Sequence, residues 1–241
     1  MNSNITLTDE TKKLDDGTVL HRIRASRDLP EHGVQSGTLG GWVETSTNIT
    51  DQAWVHDGAC VYGGALVSGD ACVLNNARVY GAARVFDNAY IFGDAHVYDN
   101  ARIYQTARVC GNARVYGDAH IYDNAHVSGR AHVSGDTHLD GNARIRGAAH
   151  LTETQDLLQV GPIGSESMSA MLVRTETGHY LAIGCWTGDI ETLASEVERR
   201  AEDWADIEHH ADIARWRTEY AALETLCRAR LTSWKKPLST Q

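Results

Sequence analysis

A chain of 241 residues, 42% apolar and 22% charged, carries enough apolar material for one large folded unit or two modest ones. Its formal charge of −10 argues against nucleic acid as a partner, and no apolar run approaches the roughly 18 residues of a membrane span. Cys60, Cys72, Cys110, Cys185 and Cys227 form no close pair, which excludes a disulfide framework and a CxxC metal site and fits a reducing, cytoplasmic setting without export.

In chain order, residues 1–40 predict an N-terminal β cap. Asp16-Gly17 is a hairpin turn, with a strand from Thr18 to Arg24 on its far side. From about residue 41 the sequence becomes periodic. Ala recurs every sixth residue from Ala53 to Ala149, with Thr137 filling the one gap, and each is followed two places later by Val, Ile or Leu. That makes seventeen hexads in one phase, and Gly41-Trp42-Val43 and Thr47-Asn48-Ile49 extend the register backwards. The period-two alternation of a strand sends Ala and Val to one face and the variable positions to the other. The Gly, Asn or Asp pair closing each hexad supplies the backbone angles of a tight corner. Strand, corner, strand builds a coil, and small Ala beside Val suits a narrow interior. Residues 41–152 therefore predict a β-helix.

Residues 153–241 change character and predict an α+β domain. Met168–Arg174 and His179–Cys185 read as a hairpin around Thr177-Gly178. Asp189 is placed to N-cap a helix with Ile190, Leu193, Ala194, Val197, Ala201 and Trp204 on one face. A second helix carries Ile213, Trp216, Tyr220, Leu223 and Cys227 and ends at Lys235-Lys236-Pro237. Two readings of these stripes stand open: a small α+β cap, or a coiled-coil-like oligomer seam.

The repeats resemble the hexapeptide family, whose members form left-handed β-helices with three hexads per coil, a fold shared with trimeric acyltransferases. That resemblance implies a mainly β chain: a left-handed parallel β-helix solenoid with an N-terminal β cap and a C-terminal α+β cap. The left hand comes from the resemblance alone, since parallel crossovers are otherwise right-handed. Ser36-Gly37-Thr38-Leu39-Gly40-Gly41-Trp42-Val43 and Gly161-Pro162-Ile163-Gly164 are also similar to segments of bacterial and prophage hexapeptide proteins. A phage origin and a homo-oligomer are expectations that follow.

Three hexads per coil place residues 18 apart one above another, which turns the outward positions into columns. Tyr62, Tyr80, Tyr98 and Tyr116 form one ladder, beside Cys60, Arg78, His96, Arg114, His132 and His150. A second face sets Phe86, Tyr104 and Tyr122 beside Arg84, Arg102, His120 and His138, and the third is mixed. Aspartates fall mostly at corners and arginines mostly on faces. Ladders of this kind can simply clad a sheet. Alternatively, planar Arg beside exposed Tyr makes a recognition surface, because these types dominate interface hot spots. The candidate binding residues are Arg78, Tyr80, His96, Tyr98, Arg114 and Tyr116, and the expected partner is a protein or a small phosphorylated ligand.

Catalysis fits less well. The acyltransferases that the repeats resemble use a His general base beside a loop interrupting the hexads, and no loop interrupts these. Neither a catalytic residue nor a cofactor is expected; an acyltransferase-like enzyme is the alternative to a binding protein. His120 with His138, and His132 with His150, should stack in pairs, but a third metal ligand is not evident. Flat Thr ladders of the ice-binding kind are missing as well.

Overall fold

The computed structural model describes residues 4–165, 167–203 and 210–234. They form two compact units, 1–154 and 155–241.

The first unit is a parallel β-solenoid. Its N-terminal strands β1 (Ile5–Lys13) and β2 (Val19–Ala25) form the expected hairpin, closed by the Gly17 amide donating to the Leu14 carbonyl at 3.0 Å. β2 pairs antiparallel with β3 (Leu39–Val43), and β3 pairs parallel with the repeat strand Cys60–Val61. The expected cap is thus an extension of one solenoid sheet rather than a separate body. The hairpin turn implied a strand before it but set no bounds for β1, whose polar run after Leu7 carries no apolar alternation.

Seventeen two-residue strands follow, from β4 (Trp54–Val55) to β20 (His150–Leu151), each separated from the next by a corner. Each pairs parallel with the strand 18 residues on, as His96 with Arg114 and Tyr90 with Arg108. Three faces result: the Tyr62 face, which continues β3; the Trp54 face; and the Phe86 face. Backbone donors are satisfied from coil to coil, for example the His96 amide to the Ala113 carbonyl at 2.9 Å and the Tyr98 amide to the Val115 carbonyl at 3.0 Å. Inside, every Ala of the repeat and its partner Val, Ile or Leu is buried. Each buried Val stabilises by about 1.5–3 kcal/mol, so stacked coils hold without helices. In the first coil Gly41 takes the Ala position, because a Cβ there would run into the His56 and Ala59 carbonyls.

Corners have their own logic. The fifth residue of a hexad adopts a left-handed backbone, at φ 55° for Asp99 and 68° for Gly111. Where this residue is Asp, its carboxylate accepts from an amide of the next coil: Gly117 N–H to Asp99 at 3.3 Å, Gln105 N–H to Asp87 at 3.1 Å, Gly141 N–H to Asp123 at 3.0 Å. Asn76 and Asn100 likewise donate to Asp94 and Asp118, each at 3.0 Å. Many corner acids are therefore structural. At the solenoid start, buried Asn48 donates to the Gly63 and Ala65 carbonyls at 3.1 and 2.8 Å, supplying partners that a further coil would have given.

The second unit is a four-stranded antiparallel sheet, β21 (Leu157–Ile163), β22 (Met168–Thr175), β23 (Gly178–Ile183) and β24 (Trp186–Gly188), packed against α1 (Leu193–Asp203) and α2 (His210–Ser233). The central hairpin stands where the sequence put it. β21, with Gly161-Pro162 inside it, and the short β24 were not read. Leu172 and Leu181 from the sheet meet Leu193, Val197, Trp216, Tyr220, Leu223 and Cys227 in one core. Both apolar stripes are therefore used within the unit, as the α+β reading requires and an oligomer seam does not. Two details differ from expectation. The Asp189 side chain makes no cap bond; its carbonyl accepts from the Thr192 amide and hydroxyl in a short 3₁₀ turn that delays α1 to Leu193. Ala194 faces solvent, one step off the stripe of Leu193 and Val197. Trp204 and Lys235-Lys236-Pro237 lie outside the described residues. None of the described helices is long and apolar enough to cross a membrane.

Candidate functional site

The six sequence-predicted residues fall together on the Tyr62 face. β-Pairing puts Arg78, His96 and Arg114 side by side on successive strands. Two places along each strand, the rings of Tyr62, Tyr80, Tyr98 and Tyr116 stack at centroid spacings of 5.1, 4.9 and 4.9 Å, within 4° of parallel. Each stacked pair adds about 0.5–1.5 kcal/mol beyond the area it buries. His96 sets its edge against Tyr80 at 6.0 Å, and His132 does the same to Tyr116 at 6.5 Å. The wall is a ladder of stacked rings, their faces covered by one another and their edges outward, with a column of Arg and His along one side.

Arg78 and Arg114 are exposed and have neither an ion-pair nor a hydrogen-bond partner among the described residues. Corner aspartates nearby are engaged between coils, Asp99 by the Gly117 amide and Asp94 and Asp118 by the side chains of Asn76 and Asn100. Burial between neighbouring rings pushes the Tyr98 hydroxyl up to about 12, with repulsion from ionised Tyr116 and Tyr80 adding to the shift, so it stays a neutral donor. Tyr62 and Tyr80 shift upward for the same first reason.

Burial also lowers the imidazoles of His32, His56, His96, His120 and His126 below their usual value, and at His96 the Arg78 and Arg114 charges act in the same direction. The unfolded chain takes up these protons near pH 6.5, whereas the folded chain resists them. Their contribution to stability is therefore complete above about pH 6.5 and is lost as pH falls through the lower folded values. Thermal melts should show a falling melting temperature from pH 7 to pH 5; a flat or rising profile would contradict it.

On the Phe86 face, Phe86, Tyr104 and Tyr122 stack at 4.9 and 5.1 Å, beside Arg84, Arg102, His120 and His138. The expected His120–His138 pair stacks at 4.8 Å, and His132–His150 is tilted at 5.9 Å. Among the described residues no three metal-ligating side chains converge.

The mixed Trp54 face brings Cys110 Sγ to 3.2 Å from His126 Nε2, across a coil. Burial pushes that thiol up and that imidazole down, the opposite of a thiolate–imidazolium nucleophile. Cys72 is driven by burial to about 12. Sequence reading missed one feature, an open cleft of about 400 Å³ at the start of the Phe86 ladder. The signal that could have found it is Ser68, a small residue in the Phe86 column.

Residues 107–123 match the family described as the YdcK Beta solenoid repeat. None of the curated proteins matches the chain. With its 18-residue coil and three short-stranded faces, the chain is a hexapeptide-type β-solenoid repeat protein, similar over those residues to the YdcK repeat.

Proposed function

We propose that this solenoid is a non-enzymatic binding protein whose Tyr62 face docks an acidic protein surface. The observation that carries the reading is an asymmetry. Acids of the repeat are largely consumed in coil-to-coil hydrogen bonds, while Arg78 and Arg114 stand exposed and unpartnered beside half-buried tyrosines. A carboxylate arriving at a planar guanidinium gains a bidentate, charge-assisted contact, and the neighbouring Tyr rings supply rigid apolar area with a hydroxyl donor. The flatness of the ladder suits a broad partner rather than an enclosed small molecule. Since the chain is itself acidic, attraction of an acidic partner would have to come from this local column rather than from net charge.

The test uses an immobilised glutamate-rich peptide at low salt. Wild-type protein should bind it and release it as salt rises. The Tyr98→Ala, Arg114→Ala double variant should remain folded but melt lower by the loss of two ring stacks, about 1–3 kcal/mol, because both side chains point outward from middle coils held above and below. It should bind about 30-fold more weakly, the factor equivalent to an anchor loss of about 2 kcal/mol. Unchanged binding by a folded double variant would return this wall to the role of cladding.

A further inference from the structure

The Phe86 ladder stops abruptly, and the stop has a shape. Phe86 stacks on Tyr104 with an interplanar angle of 1°. On its other side, one coil lower, the same column holds Ser68, two residues after Leu66, which pairs with Arg84. Ser68 has no ring to offer, so one face of Phe86 looks into the cleft. The cleft is lined by Asp51, Leu66, Ser68, Gly69, Arg84, Phe86, Asp87 and Arg102. Its height at Ser68 is one coil, the same step that separates the stacked rings above it.

The chemistry of the walls is divided. Arg84 and Arg102 are exposed neighbours on adjacent strands with no ion-pair or hydrogen-bond partner among the described residues. Leu66 makes an apolar flank. Gly69, at φ 64°, leaves the corner without a side chain; a Cβ there would meet the Asp87 backbone at 2.8 Å. Asp51 and Asp87 border that open corner, and each already accepts one backbone amide, from Gly69 at 3.2 Å and from Gln105 at 3.1 Å. Each keeps further acceptor capacity for a donor.

We propose that this gap is a binding site for a small planar aromatic anion. Its ring occupies the missing rung, level with Ser68 and stacked on the open face of Phe86, flanked by Leu66. Its phosphate or carboxylate lies against Arg84 and Arg102, and hydroxyl or amino groups donate to Asp51 and Asp87. This site is on a different face from the Tyr62 wall and stands or falls independently of it. Ring and anion have to be joined in one molecule, because an exposed guanidinium pair alone holds a free anion weakly in water, and a single stacked ring likewise gains little.

Calorimetric titration of the full chain would decide it, with four probes: adenosine 5′-monophosphate, indole-3-acetate, adenosine and inorganic phosphate. At least one of the first two should bind, about tenfold or more tightly than adenosine or phosphate alone. Preference for the nucleotide assigns the anion as phosphate, and preference for the indole acid assigns it as carboxylate. Arg84→Gln should weaken binding by about tenfold. Ser68→Phe should abolish it while holding or raising the melting temperature, since the new ring continues the ladder. Tyr98→Ala with Arg114→Ala should leave it unchanged. The proposal is overturned if neither joined molecule outbinds adenosine and phosphate, or if a folded Ser68→Phe variant binds as wild type does; should that variant fail to fold, Arg84→Gln binding like wild type overturns it.

Discussion

Replacing Arg174 by methionine is expected to destabilise the C-terminal unit by about 3–5 kcal/mol, the largest single effect anticipated in this chain. Arg174 Nη1 lies 2.8 Å from Asp156 Oδ1, and the Asp156 side chain is only 2% exposed. The same guanidinium donates to the Trp234 carbonyl at 3.3 Å and sits 6.0 Å from the Trp234 ring. Trp234 in turn donates its indole N–H to the Gln155 carbonyl at 3.0 Å, and Arg230 donates to the Gln155 carbonyl at 2.7 Å. The residues just before β21, the end of β22 and the end of α2 thus meet at one polar knot. Methionine keeps much of the volume but takes the guanidinium away from a buried carboxylate, whose desolvation is then less well offset. Urea unfolding followed by the fluorescence of Trp216 and Trp234 would measure the loss. Adding Asp156→Leu to the same protein should restore much of it, because replacing both members of a buried pair by apolar groups is far less costly than removing one. A single variant within about 1 kcal/mol of wild type would show that the knot is not holding the unit together.

Ala101→Leu is the second large effect, expected at about 1–3 kcal/mol or more. Ala83, Ala101 and Ala119 occupy one interior column on adjacent coils, all of them fully buried. Coil spacing is fixed by the hydrogen-bond ladder, so the column cannot open locally without breaking it. Leu must therefore distort its own coil or displace Val and Ile from the opposite walls. Ala113→Leu should behave alike, whereas Arg102→Gln, exposed and unpaired, should change stability little. Thermal melts of the three variants decide the matter, and equal melting temperatures would mean that these alanines do not face a tight core.

Sequence alone determined the solenoid, its phase and the inward alanines and valines, because period-two alternation and a fixed repeat translate directly into which residues face inward. The three-hexad coil, and with it the columns in which Arg78, His96 and Arg114 flank the tyrosines, followed from the resemblance to hexapeptide proteins, and the parallel pairing of residues 18 apart bears it out. The central hairpin and the stripes of the C-terminal helices were legible for the same periodic reason. Three-dimensional packing decided what periodicity does not encode. β1 gains its place by pairing antiparallel with the edge of β2, a partnership its polar second half does not announce. Asp189 lost its cap role to a 3₁₀ turn. The corner acids proved to be bonded to the next coil, and only that engagement exposes the arginines on the faces as unpaired. The gap beneath Phe86 likewise exists only once coils are stacked: a serine is unremarked in the sequence, but between a ring above and a bare corner beside it, its small side chain becomes the space for a ligand.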